Sequence, residues 1–237
     1  MSQRLYQLSD TSLAFPPLEH ALTDPNGLLA HGGDLSTQRL IYAYKNGIFP
    51  WFSENDPLLW WSPDPRAIIK LTDLKINKTL SKFLKKRPFN ITLNKDFTRV
   101  IDYCSDAPYR KEGTWILPPM QQAYQQLHQQ GIAHSIEVWH QQKLVGGLYG
   151  VAINGFFSGE SMFYKQSNAS KIALVYLAEH LKKAGISFID CQILNPFLES
   201  MGCIEISREK FVKLKKQVLT ISLADDFWQA KQLNFSF

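Results

Sequence analysis

Apolar residues recur at helical spacing in five stretches of the chain, and each stretch has a capping residue, a glycine or a proline at a boundary. After Ser36, the residues Leu40, Ala43 and Tyr44 share one face, and Gly47 follows the last turn. A capping residue before such a stripe and a glycine after it are the usual limits of a helix. The same reasoning predicts four more helices, over 78–87, over 119–130, from Asn168 or Ser170 to Gly185, and from Ser207 through Val218. Their inward-facing residues are Leu80, Phe83 and Leu84; Met120, Tyr124 and Leu127; Leu174, Leu177 and Leu181; and Phe211, Leu214 and Val218.

Apolar runs between these helices predict strands. Residues 134–140 alternate between two faces, and residues 187–193 form a short run typical of a buried strand. Asn154 and Gly155 separate the apolar runs 144–151 and 156–162, which is a strong signal for a β-hairpin. Antiparallel hairpins therefore precede a helix, a strand and a final helix.

This order of elements resembles that of GNAT-type acyltransferases. The resemblance predicts an α+β fold in which a mixed, mostly antiparallel sheet is flanked by helices. Turn signals crowd the first 65 residues, and the Pro-x-Pro step at 63–65 favours a domain boundary. We expect a small N-terminal α+β domain over 1–64 and a GNAT-like domain over 65–237. Fold-level similarity sets an expectation for the chemistry but does not define it.

Composition excludes several classes of protein. Of the 237 residues, 45% are hydrophobic and 20% charged, which is typical of a globular chain and not of a disordered one. No apolar run is long enough to cross a membrane, and the first ten residues lack the apolar core of a secretion signal. Three cysteines without a C-x-x-C pair argue against a disulfide framework. We therefore expect a cytoplasmic protein without membrane contact.

Positive charge is concentrated in one segment. Residues 70–111 hold 11 basic and 4 acidic side chains, a net charge of +7, whereas the whole chain carries +5. On the helix predicted over 78–87, Lys78, Lys82, Lys85 and Lys86 form a stripe opposite the apolar face, and Arg87 follows it. Such a stripe suits a phosphate backbone, so nucleic acid is a candidate partner. An ordinary solvated helix face is the alternative interpretation.

The buried strand contains two polar residues that suggest a site. In F-I-D-C-Q-I-L, regular alternation would place Asp190 and Gln192 on one face and Cys191 on the other. A buried carboxylate and amide need partners or a solvent-filled cavity. Either a catalytic pair or a structural hydrogen-bond network fits these residues.

Glu160 is a second candidate. The run F-S-G-E-S-M-F places it on one strand face with Ser158 and Met162, among apolar neighbours. A functional cleft and a rim salt bridge are both consistent with this pattern. Gly146 and Gly147 stand inside a predicted strand, which indicates a bulge or the close approach of a ligand or backbone.

Other kinds of site find little support. His134 and His140 lack the acidic or cysteine companions of a metal centre, so no metal is expected. Cys191 has no evident base and is not favoured as a nucleophile. The glycine turn with which acetyl-CoA-dependent enzymes bind pyrophosphate is missing from Y-K-Q-S-N-A-S-K at 164–171. A different acyl donor is therefore expected.

The chain as a whole resembles the leucyl/phenylalanyl-tRNA–protein transferase family. The matching motifs occur in family order and cover residues from about 5 to 230. They are N-G-L-L-A-H-G-G-D-L-S at 26–36, G-I-F-P-W-F at 47–52, L-W-W-S-P-D-P-R at 59–66, E-G-T-W-I at 112–116, H-S-I-E-V-W at 134–139, L-V-G-G-L-Y-G-V at 144–151, G-E-S-M-F at 159–163, N-A-S-K at 168–171 and I-D-C-Q at 189–192. One motif alone would be weak, but nine in order are specific.

The resemblance implies a reaction and its partners. Such an enzyme moves Leu, Phe or Met from aminoacyl-tRNA to the α-amino group of proteins that begin with Lys or Arg, which marks them for degradation by the N-degron pathway. It needs no metal or coenzyme, and we expect a monomer. A thioester-dependent GNAT enzyme and a non-catalytic tRNA-binding protein are the rival interpretations.

The resemblance also assigns roles to residues of this chain. It implies that Gln192, oriented by Asp190, contacts the attacking amine, and that Glu160 lies beside them. The basic helix, with Lys78, Lys82, Lys85, Lys86 and Arg87, becomes the candidate surface for tRNA. The implied apolar donor pocket consists of Trp51, Trp115, Leu148, Phe157, Met162 and Leu174.

Three positions depart from the family pattern. Leu148 stands where members carry Met in G-G-M-Y-G, which keeps an apolar wall and can change the shape of the pocket. Phe197 lies near the position of a family histidine, and Cys203 replaces an alanine after it. We therefore do not expect this chain to use a histidine at that position.

Overall fold

The computed structural model describes residues 4–106 and 114–237, which form two β-sheets with helices on both faces of the larger sheet. The helices are α1 (Thr37–Asn46), α2 (Lys78–Lys86), α3 (Phe97–Ser105), α4 (Pro118–Gln129), α5 (Ala169–Lys182), α6 (Pro196–Ser200) and α7 (Arg208–Val218). The strands are β1 (Tyr6–Leu8), β2 (Leu28–Gly32), β3 (Phe49–Pro50), β4 (Leu59–Trp61), β5 (Arg66–Lys70), β6 (Asn90–Leu93), β7 (Ala133–His140), β8 (Lys143–Ile153), β9 (Phe156–Tyr164), β10 (Phe188–Gln192), β11 (Ile204–Ile206) and β12 (Lys231–Gln232). Glu112 and Gly113 of the E-G-T-W-I motif lie outside the described residues.

The sheets confirm the predicted fold class. The smaller sheet has the strand order β1-β2-β4-β3, and the larger one has the order β11-β5-β10-β9-β8-β7-β6-β12. In the larger sheet β9 and β10 run parallel and the other paired neighbours run antiparallel. The result is the expected mixed, mostly antiparallel sheet flanked by helices.

Strand β8 shows why the sheet needs helices on both sides. Tyr149 and Val151 belong to one hydrophobic cluster, which includes residues of α3 and α4. Leu148 and Ala152 belong to a second cluster, which includes residues of α2 and α5. Alternate side chains of one strand therefore lie in two separate cores, so the sheet is buried on both faces.

Side-chain caps confirm the predicted starts of α1, α2 and α7. The Ser36 hydroxyl accepts the Arg39 N–H at the start of α1, and Gly47 follows it with φ of +80°. The Asn77 side chain caps α2, and Arg87 ends that helix in the left-handed conformation. Ser207 caps α7 in the same way as Ser36 caps α1. These contacts satisfy backbone groups that a helix end would otherwise leave unpaired.

The inner face of α7 also contains a buried lysine that the spacing of apolar residues does not predict. Leu214 is only partly buried, whereas Lys215 is 3% exposed between the buried Phe211 and Val218. Lys215 Nζ donates a hydrogen bond to the Lys45 carbonyl. Burial lowers the pKa of Lys215 to about 8. The spacing of apolar residues could not identify this position because its partner is a backbone carbonyl distant in sequence.

Gly146 and Gly147 are explained by close packing as well as by a bulge. The register between β7 and β8 shifts immediately before Gly146, where Val138 pairs with Gly146 and Trp139 pairs with Leu144. A Cβ atom on Gly146 would lie 2.4 Å from the Ala169 Cβ at the start of α5. The first glycine is thus required by the approach of a helix and not by a ligand.

The two sheets meet between Trp61 and Arg66 but share one core. Trp60 of the smaller sheet and Ile68 of the larger one belong to the same hydrophobic cluster. The division into domains over 1–64 and 65–237 stays a prediction. Within 4–106 and 114–237, no helix has the length and apolar character required to cross a bilayer.

Candidate active site

A buried ion pair joins strands β5 and β10. Arg66 Nε and Nη2 each lie 2.8 Å from an Asp190 carboxylate oxygen, and both side chains are at most 1% exposed. The Arg66 guanidinium also lies 4.9 Å from the ring centroid of Phe49 and 4.5 Å from that of Phe211. Its Nη1 donates to the Gly47 carbonyl at 3.2 Å. Two parallel charge-assisted bonds and the contacts with two aromatic rings offset the cost of burying both charges.

Asp190 uses its remaining hydrogen-bonding capacity to shape the end of β10. Its Oδ1 accepts the Gln192 backbone N–H at 3.1 Å, and its Oδ2 accepts the Ser158 hydroxyl at 3.0 Å. Gln192 has φ of +63°, and the pairing with β5 shifts register between Asp190 and Gln192. A carboxylate that accepts the N–H two residues ahead favours a local turn over continued strand.

The expected regular alternation of this strand is therefore interrupted. Asp190 is fully buried within the protein, whereas Gln192 is partly exposed and lines a cavity. Cys191, which alternation placed on the opposite face, lines the same cavity. A hydrogen bond with the Cys203 thiol is the largest cause that raises the pKa of Cys191 well above 9, and burial is the next largest. This thiol is protonated at neutral pH and is a weak nucleophile.

Gln192 and Glu160 meet at the floor of the cavity. Gln192 Nε2 lies 2.8 Å from Glu160 Oε1 and 3.4 Å from Ser158 Oγ. The Tyr124 hydroxyl donates to Glu160 Oε2 at 3.0 Å, and the Tyr44 and Tyr124 hydroxyls lie 2.5 Å apart. The polar network therefore runs from Arg66 in β5 to Tyr44 in α1.

Burial raises the pKa of Glu160 from 4.5 to about 7, and hydrogen bonds from Tyr44, Tyr124 and Gln192 act in the opposite direction. A carboxyl group with this pKa exchanges a proton near neutral pH, as a general acid or base must. Burial and the Glu160 charge raise the pKa of both tyrosines well above 10, so their hydroxyls remain donors.

An apolar cavity of about 650 Å³ opens beside Glu160 and Gln192. All six residues predicted for a donor pocket line it, and they come from five different parts of the fold. These residues are Trp51 after β3, Trp115 before α4, Leu148 of β8, Phe157 and Met162 of β9, and Leu174 of α5. The structure thus brings the predicted apolar set and two of the three predicted polar residues to one place. Asp190 lies behind them.

Two of the three departures from the family pattern border this cavity. Leu148 is 3% exposed and forms part of the apolar wall, as expected. Phe197 lines the cavity from α6, with the Lys171 ammonium 5.9 Å from its ring centroid. An apolar ring thus stands at the position for which the family resemblance suggested an imidazole.

The predicted basic stripe is exposed on α2. Leu80 and Leu84 are buried, whereas Lys78, Lys82, Lys85 and Lys86 are exposed. Arg87 is exposed and donates through Nη2 to the Phe235 carbonyl at 3.1 Å. The helix therefore has the amphipathic arrangement that its sequence indicates.

Four residues of the polar network were not predicted to act at a site. Tyr44 and Tyr124 fit the apolar faces of their helices, and the sequence pattern of Ser158 indicates only that it shares a strand face with Glu160. Arg66 ends the L-W-W-S-P-D-P-R motif and begins an apolar strand, which is the one signal that could have indicated a buried charge. In the described ranges, no group of three or more His, Cys, Asp or Glu side chains is arranged to bind a metal ion.

Comparison with known proteins gives consistent matches. A family model described as leucyl/phenylalanyl-tRNA protein transferase matches residues 68–216, and a model of the N-terminal domain of the same family matches residues 33–64. The leucyl/phenylalanyl-tRNA–protein transferase of Colwellia psychrerythraea (strain 34H) is 63% identical over 238 residues, which covers 98% of this chain and 99% of the relative. That of Pseudoalteromonas atlantica (strain T6c) is 51% identical over 229 residues and covers 97% of each chain.

Solved structures show only distant likeness. L-PGS from Bacillus licheniformis aligns with a TM-score of 0.39 and 15% identity, over 72% of this chain and 53% of that one. A GCN5-related N-acetyltransferase-like protein from Streptococcus suis aligns with a TM-score of 0.35 and 10% identity, over 72% and 64% of the two chains.

Removing one partner of the buried ion pair should destabilise the protein strongly. Arg66→Met leaves the Asp190 carboxylate buried without its cation, so we expect a loss of about 3–5 kcal/mol in the free energy of unfolding. Arg66→Met combined with Asp190→Asn should lose clearly less than the sum of the two single changes. Urea denaturation measures all three. Asp73→Ala, which breaks an exposed pair with Lys70, is the control and should cost less than about 1 kcal/mol. Additive effects of the two changes would contradict the account.

The raised pKa of Glu160 should appear in the pH dependence of stability. Between pH 4.5 and about 7 the folded carboxyl retains a proton that the unfolded chain releases. The free energy of unfolding should therefore fall as pH rises through this window, relative to Glu160→Gln, which cannot ionise. Denaturation at a series of pH values measures the difference, and Glu209→Gln at an exposed site is the control. A constant difference between the wild type and Glu160→Gln would contradict the raised pKa of Glu160.

Proposed function

The chain belongs to the leucyl/phenylalanyl-tRNA protein transferase family, and on this premise we propose that it transfers an aminoacyl group from tRNA to the amino terminus of a protein. The finer assignments form part of the same proposal. The donors are Leu, Phe and Met esters of tRNA, and the acceptors are proteins that begin with Lys or Arg and are thereby marked for degradation. The enzyme acts as a monomer in the cytoplasm.

One observation carries the proposal: the apolar cavity opens directly beside Glu160 and Gln192. A donor side chain in the cavity would bring its ester carbonyl to these two polar residues. Walls made of Trp115, Phe157 and Met162 present mainly apolar surface, which suits the side chains of Leu, Phe or Met. Apolar pockets distinguish such side chains by small free-energy differences, so discrimination among the three is expected to be weak.

The reaction requires the management of one proton. The acceptor nitrogen attacks the ester carbonyl, a C–N bond forms, the bond to the ribose oxygen breaks, and a proton passes from the amine to that oxygen. Ester aminolysis is favourable overall, so positioning of the amine accounts for much of the acceleration. The Nε2 atom of Gln192 donates to Glu160. The Oε1 atom of Gln192 then remains to accept a hydrogen bond from the amine.

Glu160 supplies the group that holds the proton. With a pKa of about 7, its carboxylate accepts a proton from the attacking amine and can return it at the same pH. Its negative charge also favours an acceptor whose first side chain is Lys or Arg. Asp190 acts through Gln192 and Ser158, and Arg66 acts through Asp190, so both are positioning residues.

The basic stripe on α2 is the proposed surface for tRNA. Lys78, Lys82, Lys85 and Lys86 project from one rigid rod, as contact with a regular phosphate backbone requires. Such contacts position the RNA without reading its sequence. The apolar cavity then selects the amino acid, and α2 holds the molecule that carries it.

The direct test supplies Leu-tRNA and a peptide that begins with Lys. We expect mass spectrometry to show one Leu added at the amino terminus of the peptide. Gln192→Ala should lower kcat by about 10²-fold, because the amine loses its positioning contact, while tRNA affinity persists. Gln217→Ala on the surface of α7 is the control. The proposal fails if folded wild-type protein adds no Leu, and Gln192 is structural if its variant loses tRNA binding equally.

Charge reversal on α2 should weaken tRNA binding in a salt-dependent way. Lys82→Glu with Lys86→Glu removes up to two phosphate contacts, so the slope of log affinity against log salt should become shallower by about 1–2. Filter binding at several salt concentrations measures the slope. The same reversal at Lys210 and Lys216, which are exposed on α7, should leave it unchanged. An unaltered slope in the α2 variant would remove this helix from the interface.

A further inference from the structure

The C-terminal strap, defined here as residues 224–237, packs against the face of the large sheet that α2 and α5 also cover. It lies beyond the residues 68–216 that the family model matches. Its short strand β12 pairs with β6 at the sheet edge, with Lys231 opposite Leu93. Four of its aromatic residues pack against the hydrophobic cluster that contains Phe157 and Leu174. These residues are Phe227, Trp228, Phe235 and Phe237.

Trp228 is the anchored residue of the strap. Asn94, with φ of +53°, donates through Nδ2 to the Trp228 carbonyl at 2.6 Å and accepts the Ser135 N–H at 2.8 Å. The His134 ring stacks on the indole with centroids 4.1 Å apart and planes 7° apart. The His180 ring meets the indole edge-on at 5.3 Å. The indole is thus held by its backbone and by two rings.

Both histidines contact the indole as neutral rings. Burial lowers the pKa of His134 to about 3 and that of His180 to about 4. At neutral pH neither imidazole carries a charge, so no charged ring is buried against the indole.

Trp228 supports one wall of the apolar cavity. Its ring lies 5.8 Å from the ring of Phe157 with planes 28° apart, and Phe157 is 1% exposed and lines the cavity. Gly150 gives the Phe157 ring its space, because a Cβ atom there would lie 2.5 Å from Phe157 Cζ. The position of this wall is therefore limited by Gly150 and by the indole.

We propose that Trp228 is a positioning residue that sets the choice among donor amino acids by fixing Phe157 in the cavity wall. This inference rests on the proposed function. In a close-packed interior the removal of a large ring leaves space into which neighbours move. Without the indole, Phe157 can retreat and deepen the cavity, which favours Phe over the shorter Leu as donor.

The experiment compares Leu-tRNA and Phe-tRNA as donors for Trp228→Ala, with one Lys-initiated peptide as acceptor. We expect the Phe-to-Leu ratio of kcat/KM to rise on the order of tenfold relative to the wild type. A ratio measured on one preparation is independent of the fraction of folded enzyme, so partial unfolding cannot produce the shift. If Trp228→Ala does not fold, Trp228→Leu, which retains part of the apolar volume, is measured and should shift the ratio in the same direction.

Phe235→Ala is the matched control, because it removes another ring from the same strap. Phe235 contacts the rings of Tyr176 and Phe237, and Tyr176 does not line the cavity. Its ratio should equal that of the wild type. The proposal is overturned if the Trp228 variants keep the wild-type ratio, favour Leu, or shift no further than Phe235→Ala.

A binding measurement separates this inference from the proposed function. The affinities of L-leucine methyl ester and L-phenylalanine methyl ester, followed by protein NMR, report the cavity without any transfer. We expect Trp228→Ala to raise the Phe-to-Leu affinity ratio here as well. If wild-type protein transfers neither amino acid, the proposed function fails, and an unchanged affinity ratio would then reject the role of Trp228 separately.

Discussion

The ion pair between Arg66 and Asp190 is the contact on which the rest of the site depends. A buried carboxylate and guanidinium each carry a desolvation cost of several kcal/mol, and they are tolerated only with good geometry and full hydrogen bonding. The chain meets this requirement by bringing the Gly47 carbonyl and the rings of Phe49 and Phe211 to the guanidinium. The segment after α1, strands β5 and β10 and helix α7 must therefore come together. The pair thus specifies how the smaller sheet joins the larger one.

The same pair determines the local shape of the polar floor. With Arg66 occupying two lone pairs of Asp190, the others accept the Gln192 N–H and the Ser158 hydroxyl. The register shift after Asp190 lets Gln192 face the cavity while Asp190 remains buried. Gln192 then meets Glu160, whose pKa near 7 follows mainly from burial, which outweighs the hydrogen bonds that lower it. A fixed charge in the interior thereby supports a titratable one at the surface of the cavity.

Local patterns predicted most of the helices and hairpins because the interactions that form them are local. The Ser36 cap, the Gly47 terminus and the turn at Asn154 each depend on residues that are close together in sequence. The polar network is not local, since Arg66 and Asp190 are 124 residues apart in sequence. Alternation failed at Gln192 because a distant arginine orders the carboxylate that bends the strand. Tyr44 and Tyr124 fit an apolar face equally well, so periodicity could not distinguish core residues from donors to Glu160.

Chemistry and selectivity are supported by different parts of the fold. The polar floor depends on the Arg66–Asp190 pair and on α1, α4 and α7, which belong to one face of the sheet. Phe157 and Leu174 of the apolar wall belong to the cluster on the other face, which the C-terminal strap also contacts. Because the sheet separates these two cores, a change in the apolar wall need not disturb the proton-handling group. An enzyme built in this way can alter its choice of donor through packing at one face while the residues that position the amine keep their geometry.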